Sequence, residues 1–237
     1  MTLPERWTEI AGLRAIEAGD RAAAKAVVVL LHGFQMRPDD LAPFAHSLGV
    51  PAWFLFPEGP LEAQPEGRAW WHIDPVARDA SMAQGPRDFA PLHPPELPAA
   101  RARIDAFLGA IEVETPGLPL VVGGFSQGGM VVLDTLLRSE RQVAAIALLS
   151  TSRIAFDEQQ PRLAAGRVRG LRCLVSHGEA DPDLGFFAGR ALADALAEAG
   201  AEVDWVPFDG GHELPLVVWR ALRRLLLSVA EEPRATS

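Results

Sequence analysis

Residues 120–130, LVVGGFSQGGM, place four glycines around one serine, directly after an apolar run and directly before a segment with helical spacing. Gly124, Ser126 and Gly128 fit the pattern G-x-S-x-G, in which a serine stands on a sharp turn between a strand and a helix. A side chain two positions before or after that serine would collide with the turning backbone, so glycine is expected at both positions. The stretch therefore predicts a strand–turn–helix unit that raises the Ser126 hydroxyl above a sheet edge.

Short apolar runs alternate with helix-like segments along the rest of the chain. The apolar runs lie at residues 26–31, 52–57, 118–125, 144–150, 171–178 and 201–208, and the helix-like segments at 37–48, 94–113, 128–138, 186–200 and 213–230. This alternation predicts an α/β fold with a mostly parallel sheet and helices on both of its faces. We expect one domain over residues 1–237, without a large cap domain.

Three segments depart from this pattern. Residues 7–17 partly alternate apolar with polar side chains, so they are candidates for pairing at the sheet edge ahead of the parallel series. Residues 59–95 are rich in proline and glycine, and so long an irregular segment in a compact domain is typically functional. We expect it near the active site. The polar residues 231–237 are expected to form a flexible tail.

The composition bears on partners and location. The formal net charge is −9. Nucleic acids and anionic membranes attract basic surfaces, so we expect neither of them as a partner of this acidic chain. The most apolar run, residues 26–31, is far too short for a membrane span, and the first ten residues lack the features of a secretory signal.

The single cysteine, Cys173, allows no internal disulfide and is predicted to be a buried strand thiol. We expect a cytoplasmic protein, and no histidine or cysteine pattern indicates a metal or cofactor.

A serine hydroxyl is a weak nucleophile unless a neighbouring base removes its proton. In enzymes with this strand–turn–helix serine, the chain order is serine, acid, histidine. Two of the six histidines follow Ser126, namely His177 and His212. His177 ends an apolar run, ahead of the loop that should supply the acid, and therefore comes too early. His212 lies in a glycine-rich loop between the last strand and the last helix, so we predict His212 as the base.

The loop after residues 171–178 offers three carboxylates, Glu179, Asp181 and Asp183. Asp181 precedes Pro182, which disfavours helical backbone at residue 181 and fixes the turn. We therefore predict Asp181 as the acid, with the task of holding the imidazole tautomer and stabilising the imidazolium. Asp183 is the alternative acid, and a helix-start cap is its other interpretation.

Two backbone N–H groups are predicted to stabilise the oxyanion that forms when a carbonyl is attacked. One belongs to Gln127, which follows Ser126 at a helix N-terminus, where the helix dipole favours negative charge. The other belongs to Phe34, just past the first buried strand. His32 and Gly33 are interpreted as structural, Gly33 by letting the backbone turn and His32 by hydrogen bonding within the loop.

Taken together, these segments resemble the phospholipase/carboxylesterase group of α/β-hydrolases, which contains bacterial carboxylesterases and acyl-protein thioesterases. The matching pieces are LLHGFQMRPDDL, RAWWHID, GGFSQGGM, SHGEADP and DGGHELP, in the family's order within residues 26–215. The resemblance implies the α/β-hydrolase fold, with Ser126, Asp181 and His212 as the triad and Phe34 and Gln127 as oxyanion donors. It also places the aromatic residue Trp71 near the acyl site.

The sequence departs from the family at three places. Gln35 stands where a second glycine is usual, and its side chain is expected to narrow the mouth of the site or to re-aim the Phe34 amide. Asp183 replaces an apolar residue of the family. The segment 59–95 is particular to this chain. These departures bear on the substrate more than on the reaction.

The sequence thus predicts a cofactor-independent serine carboxylesterase or thioesterase that forms an acyl-enzyme with a small-molecule ester or thioester. Short-to-medium acyl chains are expected because no large lid domain is visible. Trp71, Met36 and Leu184 are the predicted substrate contacts, within a wider apolar set that includes Phe34, Trp70, Phe186 and Phe187. The alternatives are a lysophospholipase, a peptidase or a carbon–carbon-bond hydrolase on the same triad, or a non-catalytic ligand-binding protein. The last helical segment is expected to pack on the sheet, with a homodimer contact as the alternative.

Overall fold

The structure is a computed structural model that describes residues 5–231. Its strands are β1 Glu5–Ile10, β2 Leu13–Ala18, β3 Ala26–Leu31, β4 Ala52–Pro57, β5 Leu61–Glu62, β6 Arg68–Ala69, β7 Leu120–Phe125, β8 Ala145–Leu149, β9 Arg172–Gly178 and β10 Glu202–Phe208. Its helices are α1 Pro38–Leu48, α2 Pro75–Met82, α3 Leu97–Glu114, α4 Gln127–Arg138, α5 Phe156–Ala164, α6 Phe186–Glu198 and α7 Leu216–Glu231.

A central sheet of eight strands has the order β1-β2-β4-β3-β7-β8-β9-β10. Every pair from β4 to β10 in that order is parallel, whereas β1–β2 and β2–β4 are antiparallel. The mostly parallel α/β sheet predicted from the sequence is therefore confirmed. Residues 7–17 form most of an edge hairpin, β1 and β2, which turns at Ala11 and Gly12, both with positive φ.

The core lies in two layers, one on each face of the sheet. Alternate residues of β3 divide between them, so that Val27, Val29 and Leu31 face one layer and Val28 and Leu30 face the other. Helices α3, α4 and α6 cover the first face, and α1 and α7 cover the second. Each fully buried valine or leucine side chain contributes about 1.5–3 kcal/mol to folding, which is why both helical layers stay on the sheet. Helix α7 packs on the sheet, as expected.

Two helices were not expected from the sequence. Helix α2, within the segment 59–95, buries none of its residues, so it has no apolar stripe to recognise. Helix α5 buries two residues and contains Pro161, which weakens the helical signal further. A two-stranded pairing of β5 with β6 also lies in the segment 59–95.

Helix α7 is the last element of the described residues. Glu231 ends α7, and the rest of the predicted tail, residues 232–237, lies outside the described residues. Of the helices within residues 5–231, none combines the length and the apolar character that crossing a bilayer requires.

The parallel strands place the predicted functional residues together. Phe34 follows β3, Ser126 follows β7, Asp181 follows β9 and His212 follows β10. In a parallel sheet the carboxyl ends of the strands meet at one edge, where sites of α/β proteins form. The topology thus brings four loops, far apart in sequence, to one rim.

Candidate active site

The serine turn has the strained geometry that its glycines suggest. Ser126 joins β7 to α4 with φ 51° and ψ −118°, a conformation that costs about 1–3 kcal/mol for a residue with a side chain. A Cβ on Gly124 would lie 2.4 Å from the carbonyl carbon of Gly128, and one on Gly128 would lie 2.5 Å from the Leu31 oxygen. Close backbone approach therefore excludes side chains at both positions, as predicted.

The three predicted triad residues form a hydrogen-bonded chain. Nε2 of His212 lies 2.9 Å from Oγ of Ser126, and its Nδ1 lies 2.6 Å from Oδ2 of Asp181. Because Nδ1 faces a carboxylate, it carries the proton, which leaves Nε2 free to accept the hydroxyl hydrogen of Ser126. The arrangement suits removal of the Ser126 proton by His212.

Asp181 is buried in a shell of donors. Its Oδ1 accepts hydrogen bonds from the backbone N–H groups of Asp183 and Leu184, each at 2.9 Å. Burial by itself would raise the pKa of Asp181, but hydrogen bonds from His177 and His212 outweigh it and hold that pKa well below its usual range. The carboxylate therefore stays ionised and fixes the His212 tautomer.

His177, which the sequence interpretation set aside as too early for the base, is a second neighbour of Asp181. Its Nε2 lies 3.3 Å from Oδ2 of Asp181 and donates to the Leu184 carbonyl at 2.9 Å. The ring is fully buried, and a Cβ on Gly189 would lie 2.2 Å from its Nδ1. The i,i+4 spacing of His177 and Asp181 around one loop was the sequence signal that could have revealed this contact.

The two predicted oxyanion donors lie at the ends of neighbouring elements. Phe34 follows β3, and Gln127 is the first residue of α4. Within residues 5–231, neither backbone N–H donates a hydrogen bond to a protein acceptor. Both groups are thus available to a substrate oxygen, and their role as oxyanion donors stays a prediction.

The side chain of Gln127 has a function that the sequence did not suggest. Its Oε1 accepts a hydrogen bond from the Trp70 backbone N–H at 2.8 Å, and its Nε2 donates to the Trp71 carbonyl at 2.9 Å. The indole N–H of Trp70 in turn donates to the His32 carbonyl at 2.9 Å. This network, which we call the Gln127 clamp, connects the loop after β3 to the start of α4.

His32 is part of the same support. Its Nδ1 lies 2.7 Å from the Gly33 carbonyl, and its Nε2 accepts the Gly59 backbone N–H at 2.9 Å. Burial lowers the pKa of His32 to about 4, so the ring is neutral at pH 7. The structural interpretation of His32 agrees with these contacts. Gly33 begins a turn, since the Met36 N–H donates to its carbonyl at 3.3 Å, and it also makes room for the Phe125 ring, 2.9 Å from a hypothetical Cβ.

An open cavity of about 440 Å³ lies beside Ser126 and His212. Its apolar lining consists of Phe34, Met36, Leu41, Phe44, Phe125 and Leu214. Its charged lining consists of Asp40, Arg78, Asp183 and Glu213. Met36 therefore lies where a substrate contact was predicted.

Trp71 and Leu184 do not line this cavity. Both side chains are buried, Trp71 against a second cavity and Leu184 in the hydrophobic core. Tertiary packing turns both side chains away from the cavity beside Ser126, and their role as substrate contacts stays a prediction. The Gln35 side chain does not line the cavity beside Ser126 and so does not narrow it. Its amide N–H donates to the Gln64 carbonyl instead.

Asp183, the alternative acid, has other partners. It accepts hydrogen bonds from the guanidinium groups of Arg78 and Arg87, and not from His212. Burial would raise the pKa of Asp183, but the two arginines outweigh it and lower that pKa. The geometry therefore favours Asp181 over Asp183 as the acid.

The single cysteine is not placed to act as a nucleophile. Cys173 is buried in β9, and burial raises the pKa of its thiol to about 12, which agrees with an unreactive strand cysteine. Within residues 5–231, no three histidine, cysteine or carboxylate side chains are grouped as ligands for a metal ion.

Comparison with known proteins gives a consistent result. A family model described as phospholipase/carboxylesterase matches residues 12–226 of the chain. Acyl-protein thioesterase 1 of Neurospora crassa is 31% identical over 106 residues, which is 43% of this chain and 42% of that relative. The matched region spans less than half the length of the curated relatives.

Solved structures resemble this one over nearly the whole chain. Acyl-protein thioesterase 2 of Zea mays has a TM-score of 0.72 at 19% identity, covering 92% of this chain and 99% of that chain. A carboxylesterase from Mesorhizobium loti has a TM-score of 0.69 at 22% identity, covering 95% of this chain and 99% of that chain. At such identities the likeness shows the fold, which is the α/β-hydrolase fold.

Proposed function

The chain belongs to the phospholipase/carboxylesterase family of α/β-hydrolases, and on that premise we propose that it is a serine hydrolase of short-to-medium acyl esters. One observation carries the proposal: Asp181, His212 and Ser126 form a continuous hydrogen-bonded chain at the sheet edge, with separations of 2.6 and 2.9 Å. Such a chain converts a weak hydroxyl nucleophile into an effective one.

In the first half of the reaction, Oγ of Ser126 bonds to the carbonyl carbon of the ester while Nε2 of His212 takes the hydroxyl proton. The carbonyl oxygen gains the negative charge, and the N–H groups of Phe34 and Gln127 stabilise it. The carbon–oxygen bond to the leaving group then breaks, and His212 returns its proton to the departing alcohol oxygen. An acyl ester of Ser126 is left.

In the second half, a water molecule attacks the acyl carbon and gives its proton to His212. The bond to Oγ breaks, the proton passes to Ser126, and the carboxylic acid leaves. Asp181 keeps the imidazole oriented throughout and stabilises its charged form without taking the proton. A thioester reacts by the same steps with a thiol as leaving group, and the thioesterase name of the Neurospora crassa relative supports including this class.

The acyl range follows from the cavity. Its volume of about 440 Å³ and its six apolar lining residues support a hydrocarbon group of modest length beside Ser126. This modest volume supports short-to-medium acyl chains over long ones.

The proposal is tested with Ser126→Ala. Turnover of p-nitrophenyl acetate and butyrate is expected to fall by about 10⁴-fold or more, because the Ser126 hydroxyl is the nucleophile that Nε2 of His212 contacts at 2.9 Å. Ser47→Ala, which removes an exposed hydroxyl on α1, is the matched control and should leave turnover unchanged. A fluorophosphonate probe should label wild type at Ser126 alone. Full turnover by the Ser126→Ala variant, or labelling at another residue, would overturn the proposal.

A further inference from the structure

Arg78 lies between two cavities. It lines the cavity beside Ser126, and it also lines a second cavity of about 650 Å³ built from the segment 71–95. The apolar lining of this second cavity includes Trp71, Ile73, Ala77, Phe89 and Leu92. A hydrocarbon group that extends beyond the first cavity would therefore find apolar surface on the other side of Arg78.

An ion pair holds Arg78 in that place. Its Nε and Nη2 lie 3.2 and 2.6 Å from Oδ2 of Asp183, while the Arg87 guanidinium bonds the other carboxylate oxygen. Asp183 is fixed in turn, because its backbone N–H donates to Asp181 and its backbone carbonyl accepts the Arg87 N–H at 2.9 Å. The partner of Arg78 thus belongs to the rigid loop that carries the predicted catalytic acid.

The helix that carries Arg78 is loosely attached. Helix α2 buries none of its residues, and within the described chain the hydrogen bonds of Arg78 to Asp183 are the only side-chain hydrogen bonds from α2 to another element. The N-terminal cap of α2 is local, since Asp74 accepts from Val76 and Ala77. Breaking one half-buried ion pair therefore frees the helix without exposing apolar core.

We propose that the Arg78–Asp183 ion pair is a specificity determinant that divides the substrate site and limits the acyl chain accepted at Ser126. With the pair formed, the acyl group is confined to the first cavity. With the pair broken, the two cavities join and a longer chain extends into the second one. The inference rests on the proposed esterase function, since it concerns which esters Ser126 receives.

The test compares chain-length preference in Arg78→Ala and wild type. Asp183 keeps Arg87 as a partner in this variant, so no buried carboxylate is left unpaired and the fold should persist. The ratio of kcat/KM for p-nitrophenyl decanoate to that for acetate is expected to rise by about 10-fold or more, which is what extra methylenes in an apolar pocket contribute. Should this variant fail to fold, Arg78→Gln removes the charge with less loss of volume and carries the same expectation.

Two controls separate the ion pair from general effects. Arg78→Lys keeps a positive charge opposite Asp183 but loses the two-donor geometry of the guanidinium, so its ratio should rise less than that of Arg78→Ala. Arg190→Ala removes an exposed arginine that pairs with Asp194 on α6, and its ratio should not change. An increase of the same size in Arg190→Ala, or an unchanged ratio in both Arg78→Ala and Arg78→Gln, would overturn the inference.

The failure of this inference is distinguishable from the failure of the proposed function. If wild type hydrolyses acetate esters and the ratio does not respond to Arg78, only the role of the ion pair is wrong. If wild type hydrolyses no ester of any chain length, the proposed function is wrong and the inference falls with it.

Discussion

His177 lies 3.3 Å from the same Asp181 oxygen that accepts the hydrogen bond of His212. The carboxylate therefore serves two imidazoles, one directed at Ser126 and one buried behind the loop. Since burial opposes the ionised form of Asp181, the second imidazole offsets part of the cost of keeping that carboxylate charged. His177 does not line the cavity beside Ser126, so we expect it to act by positioning Asp181.

Asp181→Asn should lower kcat by about 10⁴-fold while the protein stays folded. The amide can present its N–H to Nδ1 of His212, which selects the wrong tautomer and leaves no acceptor for the Ser126 proton. Steady-state kinetics with p-nitrophenyl butyrate measures the loss. Asp194→Asn, at an exposed ion pair on α6, serves as control and should keep full kcat. A kcat within tenfold of wild type in Asp181→Asn would argue against Asp181 as the acid.

His177→Phe should make the protein more sensitive to acid. A carboxyl whose folded pKa is depressed adds stability that is present above about pH 4 and is lost as the pH falls through its folded pKa. Removing the His177 donor raises the folded pKa of Asp181 toward the unfolded value, so this stability shrinks. The midpoint of acid unfolding, followed by tryptophan fluorescence, should rise by about 0.5 pH unit or more.

The conservative variant His177→Gln distinguishes positioning from packing. Its amide N–H can reach toward Leu184 and Asp181, so it should restore most of the acid resistance that Phe removes. Equal midpoints of acid unfolding in the Phe and Gln variants would mean that His177 acts through its volume alone.

Gln127→Ala should weaken both stability and catalysis through the Gln127 clamp. The change leaves the Trp70 N–H and the Trp71 carbonyl without their partners, and each such buried group costs about 1–3 kcal/mol. We expect the free energy of unfolding in urea to fall by about 2 kcal/mol or more and kcat to fall by about tenfold. Gln160→Ala, on an exposed position of α5, is the control. Unchanged kcat in a destabilised Gln127→Ala would separate the clamp from oxyanion stabilisation.

Gly128→Ala should unfold or strongly destabilise the protein, because its Cβ would lie 2.5 Å from the Leu31 carbonyl oxygen. The free energy of unfolding should fall by more than about 3 kcal/mol, which is more than a substitution on the surface usually costs. Gly109→Ala is the matched control, since Gly109 lies inside α3 and its hypothetical Cβ meets nothing nearer than a side-chain atom 3.5 Å away. At position 109, alanine should raise the free energy of unfolding by at most about 1 kcal/mol. Thermal denaturation of the two variants compares them directly.

The fold was accessible from the sequence because its signals are local. Strands β3, β4 and β7 are buried at all six of their positions, so each reads as a continuous apolar run. Helix α2 gave no such signal, because it buries nothing and so carries no apolar stripe. Apolar patterns in the sequence thus predict the buried strands, whereas they do not predict the exposed helix α2 beside the candidate active site.

The candidate triad was accessible for a related reason. The glycines around Ser126 and the proline after Asp181 are residues that the local backbone conformation requires, so they could be recognised in the sequence. The chain order of serine, acid and histidine then selected His212. No such backbone requirement marks Trp71 or Leu184. An apolar side chain suits the core and a substrate cavity equally well, so the sequence could not tell which of the two it occupies. Their inward orientation depends on packing that involves elements distant in sequence.

Sequence patterns predicted the parallel sheet, the strained serine turn and the order of the three catalytic candidates, because apolar periodicity and backbone sterics act within a few residues. Three contacts became visible only in the folded chain: Asp183 binds Arg78, 105 positions away, Gln127 hydrogen-bonds to Trp70 and Trp71, and His177 lies against Asp181. These contacts depend on distance and direction between separate elements, which a linear pattern does not encode.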